Sequence, residues 1–242
     1  NKWLAATHLL MASKKGMSAL QIGRLLGLSK KTAWFLCHRI RESLPDDLPL
    51  KGGEPVGGKN KVVEIDETYV GGKEANKHAH KRTPGSQGGA GKAIVLSLVE
   101  RGGKVRSRHV ADVTGKTLRD TIVTQVDRAS YIMTDDAPQY KKIGEEFSGH
   151  GSVNHSAEEY VRAYFWHTNT VEGYFAILKR GIIGVYHHTS KEHLHRYLAE
   201  FDFRYNNREG VGVDDAERMA KSIKGIVGRR LTYRRTSGRP NV

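Results

Sequence analysis

The sequence predicts an α/β protein of the α+β kind, a mixed sheet flanked by helices and preceded by a small all-helical unit. Three observations carry that expectation. Residues 1–44 place Leu4, Leu9, Leu10, Ile22, Leu25, Leu26, Trp34, Phe35 and Ile40 at three- and four-residue spacing, the period of amphipathic helices. Pro45, Pro49, Gly52, Gly53, Pro55, Gly57 and Gly58 follow, and such a run supports neither a helix interior nor a central strand. Beyond it, β-branched segments come first and helical periods come after them, which is the order of a sheet with helices packed on its faces.

Composition narrows the function classes. The chain has 242 residues, 40 Lys plus Arg against 26 Asp plus Glu, and a formal charge of +14. Its hydrophobic share of 38% is enough for a buried core and argues against a disordered chain. The longest apolar runs, around Ala93–Val99 and Trp34–Cys37, stop far short of the ~18 residues that a spanning helix needs. A single cysteine, Cys37, excludes an internal disulfide and a thiolate zinc site. That cysteine usage leads to the expectation of a reducing, cytoplasmic setting. Lys and Arg are spread through loops and helix ends rather than along one amphipathic helix, which favours nucleic acid over a membrane surface as the partner.

In the helical unit, Ser18 is placed to cap a helix running to Leu26, Gly27 supplies the turn, and Ser29 caps a second helix from Lys30 to about Glu42. The string SALQIGRLLGLSKKTAWFLCHRIR therefore matches a helix-turn-helix. In that motif the N-terminal residues of the second helix reach DNA; here they are Lys30, Lys31 and Thr32, with His38, Arg39 and Arg41 further along. A helical hairpin with a solvated basic face is the alternative.

The first strand is expected in KVVEIDETYVGG, and Lys73–Lys92, rich in Gly, His, Lys and Arg, reads as a mobile basic loop. Its GSQGGAGKA stretch only imitates a phosphate-binding loop. Ser86 stands where the first glycine belongs, and Ala93 follows Lys92 where Ser or Thr would reach magnesium. Ala93–Glu100 and Val105–Asp112 read as strands joined at Gly102 and Gly103, completing an antiparallel meander. Thr117–Val126 has a helical period, and SYIMTDDAPQY supplies a strand ending at Asp135 and Asp136. Three strands, a helix and a fourth strand is the order of the ribonuclease-H-like fold. A short strand at Ser152–His155 and helices at Asn169–Arg180, His193–Asn206 and Asp214–Lys224 are expected next, before a tail carrying Arg229, Arg230, Arg234, Arg235 and Arg239. The expected organisation is a helix-turn-helix domain over 1–46, a linker over 47–60, a catalytic domain over 61–208, and a C-terminal helix with a basic tail over 209–242.

Asp66 lies within the first strand and Asp135 at the end of the strand expected beside it. Neighbouring strands are ~4.8 Å apart, so the two carboxylates can share one cation. Glu172, on the following helix, can close the cluster. Crowded carboxylates repel one another unless a cation neutralises them. Mg²⁺ takes a few carboxylate oxygens and leaves positions for water and phosphate, and two such ions suit phosphodiester cleavage and strand transfer. Singly, each acid is equally compatible with a surface, turn or helix role. Lys179, two turns after Glu172, and Asn169, three residues before it, fall on the same helical face. His187, His188, His193 and His195 lack the spacing of a zinc protease and read as surface or DNA-facing side chains.

The segments EIDETYVGGK, TDDAPQY and HTNTVEGYFAILKRGIIGVYHHTSKEHLHRYLAEFDFRYNNR, in that order and spacing, resemble the ISXO2-like, IS1595-type transposases of bacterial insertion sequences. The resemblance covers about residues 60–208. It implies a ribonuclease-H-like catalytic domain whose acidic triad matches Asp66, Asp135 and Glu172, with Lys179 as the associated base. It also implies cleavage of element-end DNA and 3′-hydroxyl transfer to target DNA, with two Mg²⁺ ions (Mn²⁺ as substitute) and a homodimer or higher oligomer on double-stranded DNA near the bacterial nucleoid. The expected DNA contacts are Lys179, Asn169, Arg180, Lys30, Lys31, Thr32, Arg39, Arg229 and Arg230. Family members often begin with a cysteine-based zinc ribbon, for which Cys37 alone supplies too few ligands. Some have Asn at the third acidic position, and Gly is common where Asp136 stands here. The alternative is a catalytically inert helix-turn-helix regulator on the same scaffold.

Overall fold

The computed structural model describes residues 1–44, 53–72, 78–82, 89, 91–153 and 167–229. One sheet has the strand order β3-β2-β1-β4-β5, with β1 at Val62–Val70, β2 at Ala93–Glu100, β3 at Val105–Val110, β4 at Tyr131–Asp135 and β5 at Gly149–Val153. The first three strands are antiparallel neighbours, whereas β4 runs parallel to β1 and β5 parallel to β4. This is a ribonuclease-H-like sheet, as the order of elements predicts. Its crossover between β3 and β4 is the helix α4 (Gly115–Gln125), since a parallel connection needs a long excursion.

Helices cover both faces, so the central strands are apolar almost continuously rather than alternately. On one face Val70, Val95, Val99 and Val105 pack against Val171, Tyr174, Phe175 and Leu178 of α6 (Asn169–Gly181) and Leu194, Leu198 and Phe201 of α7 (Lys191–Asn206). On the other, Val63, Ile65, Leu96, Leu98 and Ile132 meet Leu118 and Ile122 of α4 and Tyr140 and Ile143 of α5 (Pro138–Gly144). Each face thus has its own core, with β1 between them. A π-helical turn, Ile182–Tyr186, extends α6, and α8 spans Asp215–Lys224.

The outer edge of β3 is covered by side chains of α7. Asn206 accepts from the Val105 N–H (2.6 Å) and donates to the Val105 carbonyl (2.9 Å), while Asp202 accepts from the Ser107 N–H (2.7 Å). Tyr174 and Ser107 also donate to the partly buried Asp202. Burial raises the Asp202 carboxyl to about 6 against those bonds.

The N-terminal helices are α1 (Lys2–Ala12), α2 (Ala19–Leu26) and α3 (Lys30–Ser43). Ser18 accepts from the Gln21 N–H and Ser29 from the Thr32 N–H, both at 3.2 Å. Gly27 ends α2 at φ 58°, ψ 50°, a left-handed conformation that glycine adopts without steric cost. Caps, turn and helices all lie where the sequence places them.

Two residues expected on the DNA-facing surface of α3 point inward instead. His38 and Arg41 are only 1% and 2% exposed. His38 packs against the rings of Trp34, His193 and Tyr197, and burial holds its pKa down at about 3. His193 is accordingly half-buried against Trp34, not a free surface histidine. Arg41 sits 2.5 Å from Glu200 of α7, which also accepts from Tyr186 and Arg204. Helical geometry explains the correction: residues four apart share a face, so Cys37 and Arg41 follow Ala33 into the interior. Phe203 of α7 joins Leu10, Met11, Ile22, Leu36 and Ile40 in one core, so the helical unit is packed directly on the sheet's helical layer.

Part of the segment expected as a linker is also pinned. Val56 is 2% exposed; its N–H donates to the Gln125 carbonyl at 2.8 Å and its carbonyl accepts from the Asp127 N–H at 2.9 Å. Residues 45–52, and most of the basic loop between β1 and β2, lie outside the described residues. The strand expected at Ser152–His155 begins earlier, at Gly149, where a β-carbon would stand 2.4 Å from the Tyr131 ring. Its Gly-His-Gly start carries no β-branched signal. Among the described residues no helix is long and apolar enough to cross a membrane.

Removing the acid from a buried ion network leaves its cations uncompensated, which costs about 3–5 kcal/mol. Glu200→Gln, which leaves Arg41 and Arg204 facing a neutral amide, is therefore expected to lower unfolding free energy by about that amount in urea denaturation. A loss below about 1 kcal/mol would contradict this account of the junction.

Candidate active site

The register of the sheet brings two of the three acids together. Glu64 pairs with Met133 across the parallel β1–β4 ladder, and two residues further along each strand lie Asp66 and Asp135. In-register neighbours point to the same side of a sheet, and Glu64 faces α6, so Asp66 and Asp135 share that face. Glu172 occupies the first turn of α6, on the same side.

The three carboxylates lie within one another's field. Asp66 is partly buried, and its carboxyl is pushed up to about 7, first by burial and then by the negative charges of Glu67, Asp135 and Glu172. A bond from the Glu67 N–H to Asp66 Oδ1 (2.7 Å) opposes that rise. Asp135 accepts from the Ala137 N–H at 3.3 Å, and Glu172 from the Thr168 hydroxyl at 3.1 Å. Asp136 points elsewhere, toward the Ser152 hydroxyl of β5 at 3.3 Å. Among the described residues no three Asp, Glu, His or Cys side chains are already drawn around one point; the acids share a field without sharing a ligand sphere. Their hard oxygen donors suit Mg²⁺ or Mn²⁺ rather than softer metals, and a cation is what would relieve their mutual repulsion.

Two other acids on β1 have structural partners. Glu67 projects to the opposite face, where the Tyr140 hydroxyl of α5 donates to it. Burial raises the Glu67 carboxyl, and Asp135 adds to the rise. Glu64 is fully buried. Its Oε2 accepts from the backbone N–H groups of Thr170 (2.7 Å) and Val171 (2.9 Å), and its Oε1 from the Thr170 hydroxyl (2.9 Å) and Arg101 Nε (2.6 Å). Sequence reasoning did not single out Glu64. The available signal was parity: a residue two before Asp66 faces the same helix.

The expected DNA-contacting residues fall into two groups. On α6, Asn169, Glu172, Lys179 and Arg180 are all exposed, with Arg180 Nε donating to the Ala176 carbonyl (2.8 Å). On α3, Lys30, Lys31 and Thr32 are exposed at the N-terminus. Arg39 lies over the rings of Trp3 and Phe35, at 5.1 and 5.6 Å. Arg229 is exposed and donates to the Glu42 carbonyl at 3.0 Å, and Arg230 lies outside the described residues.

Because the folded-state pKa of Asp66 lies above its usual 3.8, the unfolded chain loses this proton first. Stability then falls as pH rises between about 4 and 7. In metal-free buffer at pH 8, Asp66→Asn is expected to be more stable than the parent chain. After discounting for partial exposure, the gain is on the order of 1–2 kcal/mol, and it vanishes near pH 4. Paired thermal melts across that range measure it; an Asn variant less stable than the parent at pH 8 would contradict the crowded-carboxylate description.

One family model and several solved structures are similar to this chain. The family model described as the ISXO2-like transposase domain matches residues 56–206, more than half of the chain. No curated protein matches. Among solved structures, the chain is similar to a pre-cleavage Mos1 transpososome at 10% identity and TM-score 0.37, covering 90% of this chain and 76% of that one. It is also similar to the Mos1 strand transfer complex, at 12% identity and TM-score 0.35, with 95% and 79% covered. A third is a simian T-cell lymphotropic virus intasome in complex with PP2A regulatory subunit B56 gamma, at 17% and 0.35, where the match spans 75% of this chain and 63% of the other. With a family match across the whole sheet and both helices of its acidic face, the chain belongs to the ISXO2-like transposases.

Proposed function

We propose that this transposase nicks the ends of its DNA element and joins the liberated 3′-hydroxyl to target DNA, using Asp66, Asp135 and Glu172 to hold two divalent cations. The observation that carries the reading is the β1–β4 register, which puts Asp66 and Asp135 on neighbouring strands and on the face that α6 covers, with Glu172 in the first turn of that helix. When bound, Mg²⁺ or Mn²⁺ would supply Lewis acidity at the scissile phosphorus and lower the pKa of an attacking hydroxyl.

The chain's own residues do the rest. Asp66 and Asp135 are fixed on adjacent strands, while Glu172 approaches from a helix. Lys179, exposed on the same helix, is placed to hold a phosphate beside the acids, with Asn169 and Arg180 flanking it. At the N-terminus, the helix-turn-helix reading assigns Lys30, Lys31 and Thr32 to element-end DNA. Arg39, whose guanidinium is already stacked on aromatic rings, serves the backbone rather than base edges. Arg229 and Arg230 extend the basic surface. Coordinated cleavage of two ends calls for at least two protomers, so the proposed working form is a dimer or higher oligomer on double-stranded DNA.

Asp66→Asn, Asp135→Asn and Glu172→Gln are each expected to lower Mg²⁺-dependent nicking of element-end DNA at least about a hundredfold. DNA binding by the same variants should hold or strengthen, because each removes a negative charge near phosphates. Nicking at the parent rate by Asp66→Asn would rule out the acidic trio, and a parent chain that binds element ends but never nicks them would favour the inert regulator. Lys30→Ala combined with Lys31→Ala should weaken element-end binding. Its log–log salt slope should fall by about one for each phosphate no longer neutralised, as read from binding titrations at several salt concentrations; an unchanged slope would place DNA elsewhere.

A further inference from the structure

We infer that Glu64 is a positioning residue of the acidic site, a buried carboxylate that fixes the N-terminus of α6 against β1 and thereby sets Glu172 beside Asp66. The inference rests on the proposed role of Asp66, Asp135 and Glu172.

Four donors converge on Glu64: the N–H groups of Thr170 and Val171, the Thr170 hydroxyl and Arg101 Nε. The same Arg101 donates through Nη2 to the His167 carbonyl at 2.7 Å, so both the helix start and the chain entering it are held from the sheet. The helix does not cap itself. Thr168, at the N-cap position, makes no side-chain bond to the helix N-terminus, and its hydroxyl is turned to Glu172. The first free N–H groups of a helix need acceptors and favour a negative charge; here both come from a strand more than 100 residues earlier in the chain.

A fully buried carboxylate is costly to place, and an apolar residue would often serve stability as well or better. What an apolar residue cannot supply is a fixed axial position and rotation for α6. Both matter for Glu172, which follows the bonded Val171 directly. Asp66 is two residues from Glu64 on the same strand face, about 7 Å along β1. One carboxylate thus references the helix that carries the third acid to the strand that carries the first.

Glu64→Gln keeps the shape but turns an amide NH₂ toward donors, whichever oxygen it replaces. The test measures Mn²⁺ binding by titration calorimetry, without DNA, on the full chain and on Glu64→Gln, Glu172→Gln and the double variant. The parent is expected to bind Mn²⁺. Loss of a group that orients metal ligands typically costs 10–100-fold in metal affinity, so Glu64→Gln should weaken binding about tenfold while Asp66 is intact. The double variant should bind no more than about twofold worse than the weaker single variant, because both changes remove the same ligand. Amide exchange at Thr170–Glu172 should speed up in Glu64→Gln and in the double variant but not in Glu172→Gln.

Losses that multiply in the double variant, or a folded Glu64→Gln that binds Mn²⁺ like the parent, would overturn the positioning role and leave the acidic trio standing. A parent chain that binds no Mn²⁺ would instead overturn the trio, and the positioning role with it. If Glu64→Gln does not fold, Thr170→Val removes only the hydroxyl donor; a several-fold loss of Mn²⁺ affinity supports the inference and an unchanged affinity overturns it.

Discussion

Like charges forced together on a sheet buried from both sides are the constraint on which this protein is built. β1 carries Glu64, Asp66 and Glu67 within four consecutive positions, and each is handled differently. Glu64 is neutralised by a helix terminus and a guanidinium, Glu67 accepts from the Tyr140 hydroxyl on the opposite face, and Asp66 accepts from the backbone N–H of Glu67. Of the three, Asp66 is the one that feels the negative charges of both Asp135 and Glu172. Stability has been given up at one point of an otherwise satisfied strand, a pattern expected of functional sites.

Much of this was legible in the sequence because the signals were local. Ser18, Gly27 and Ser29 mark helix ends through caps and a left-handed turn, and AIVLSLVE announces a doubly covered strand at its true limits. The order of strands and helices was enough to anticipate the sheet, and with it that Asp66 and Asp135 lie on neighbouring strands. What escaped was information held in partners distant along the chain. Nothing near His38 or Arg41 distinguishes a DNA-facing base from a buried one until α7 supplies Glu200, Tyr197 and His193. Glu64 was not singled out because its partners, Thr170 and Val171, lie on another element. The short helix at Pro138–Gly144 was missed, although a proline suits its first turn, and Gly149–Val153 was shifted because glycine carries little strand signal.

The junction between the N-terminal helices and α7 ties α3 to the end of α6. Glu200 accepts from Arg41 of α3, from Arg204 one turn along α7, and from Tyr186 at the end of the π-helical extension of α6. The same glutamate therefore touches the helix proposed to meet DNA and the C-terminal continuation of the helix that bears Glu172. Arg41 also lies 4.1 Å over the Tyr197 ring, which excludes water from the contact and makes the pairing more rigid than a surface ion pair.

The side chains of Asn206 and Asp202 that occupy the outer rim of β3 have an effect on assembly. Open strand rims invite another polypeptide to add a strand, yet here the main-chain groups of Val105 and the N–H of Ser107 are already spoken for by α7. At Val105–Ser107 the α7 side chains therefore stand where an added strand would have to pair.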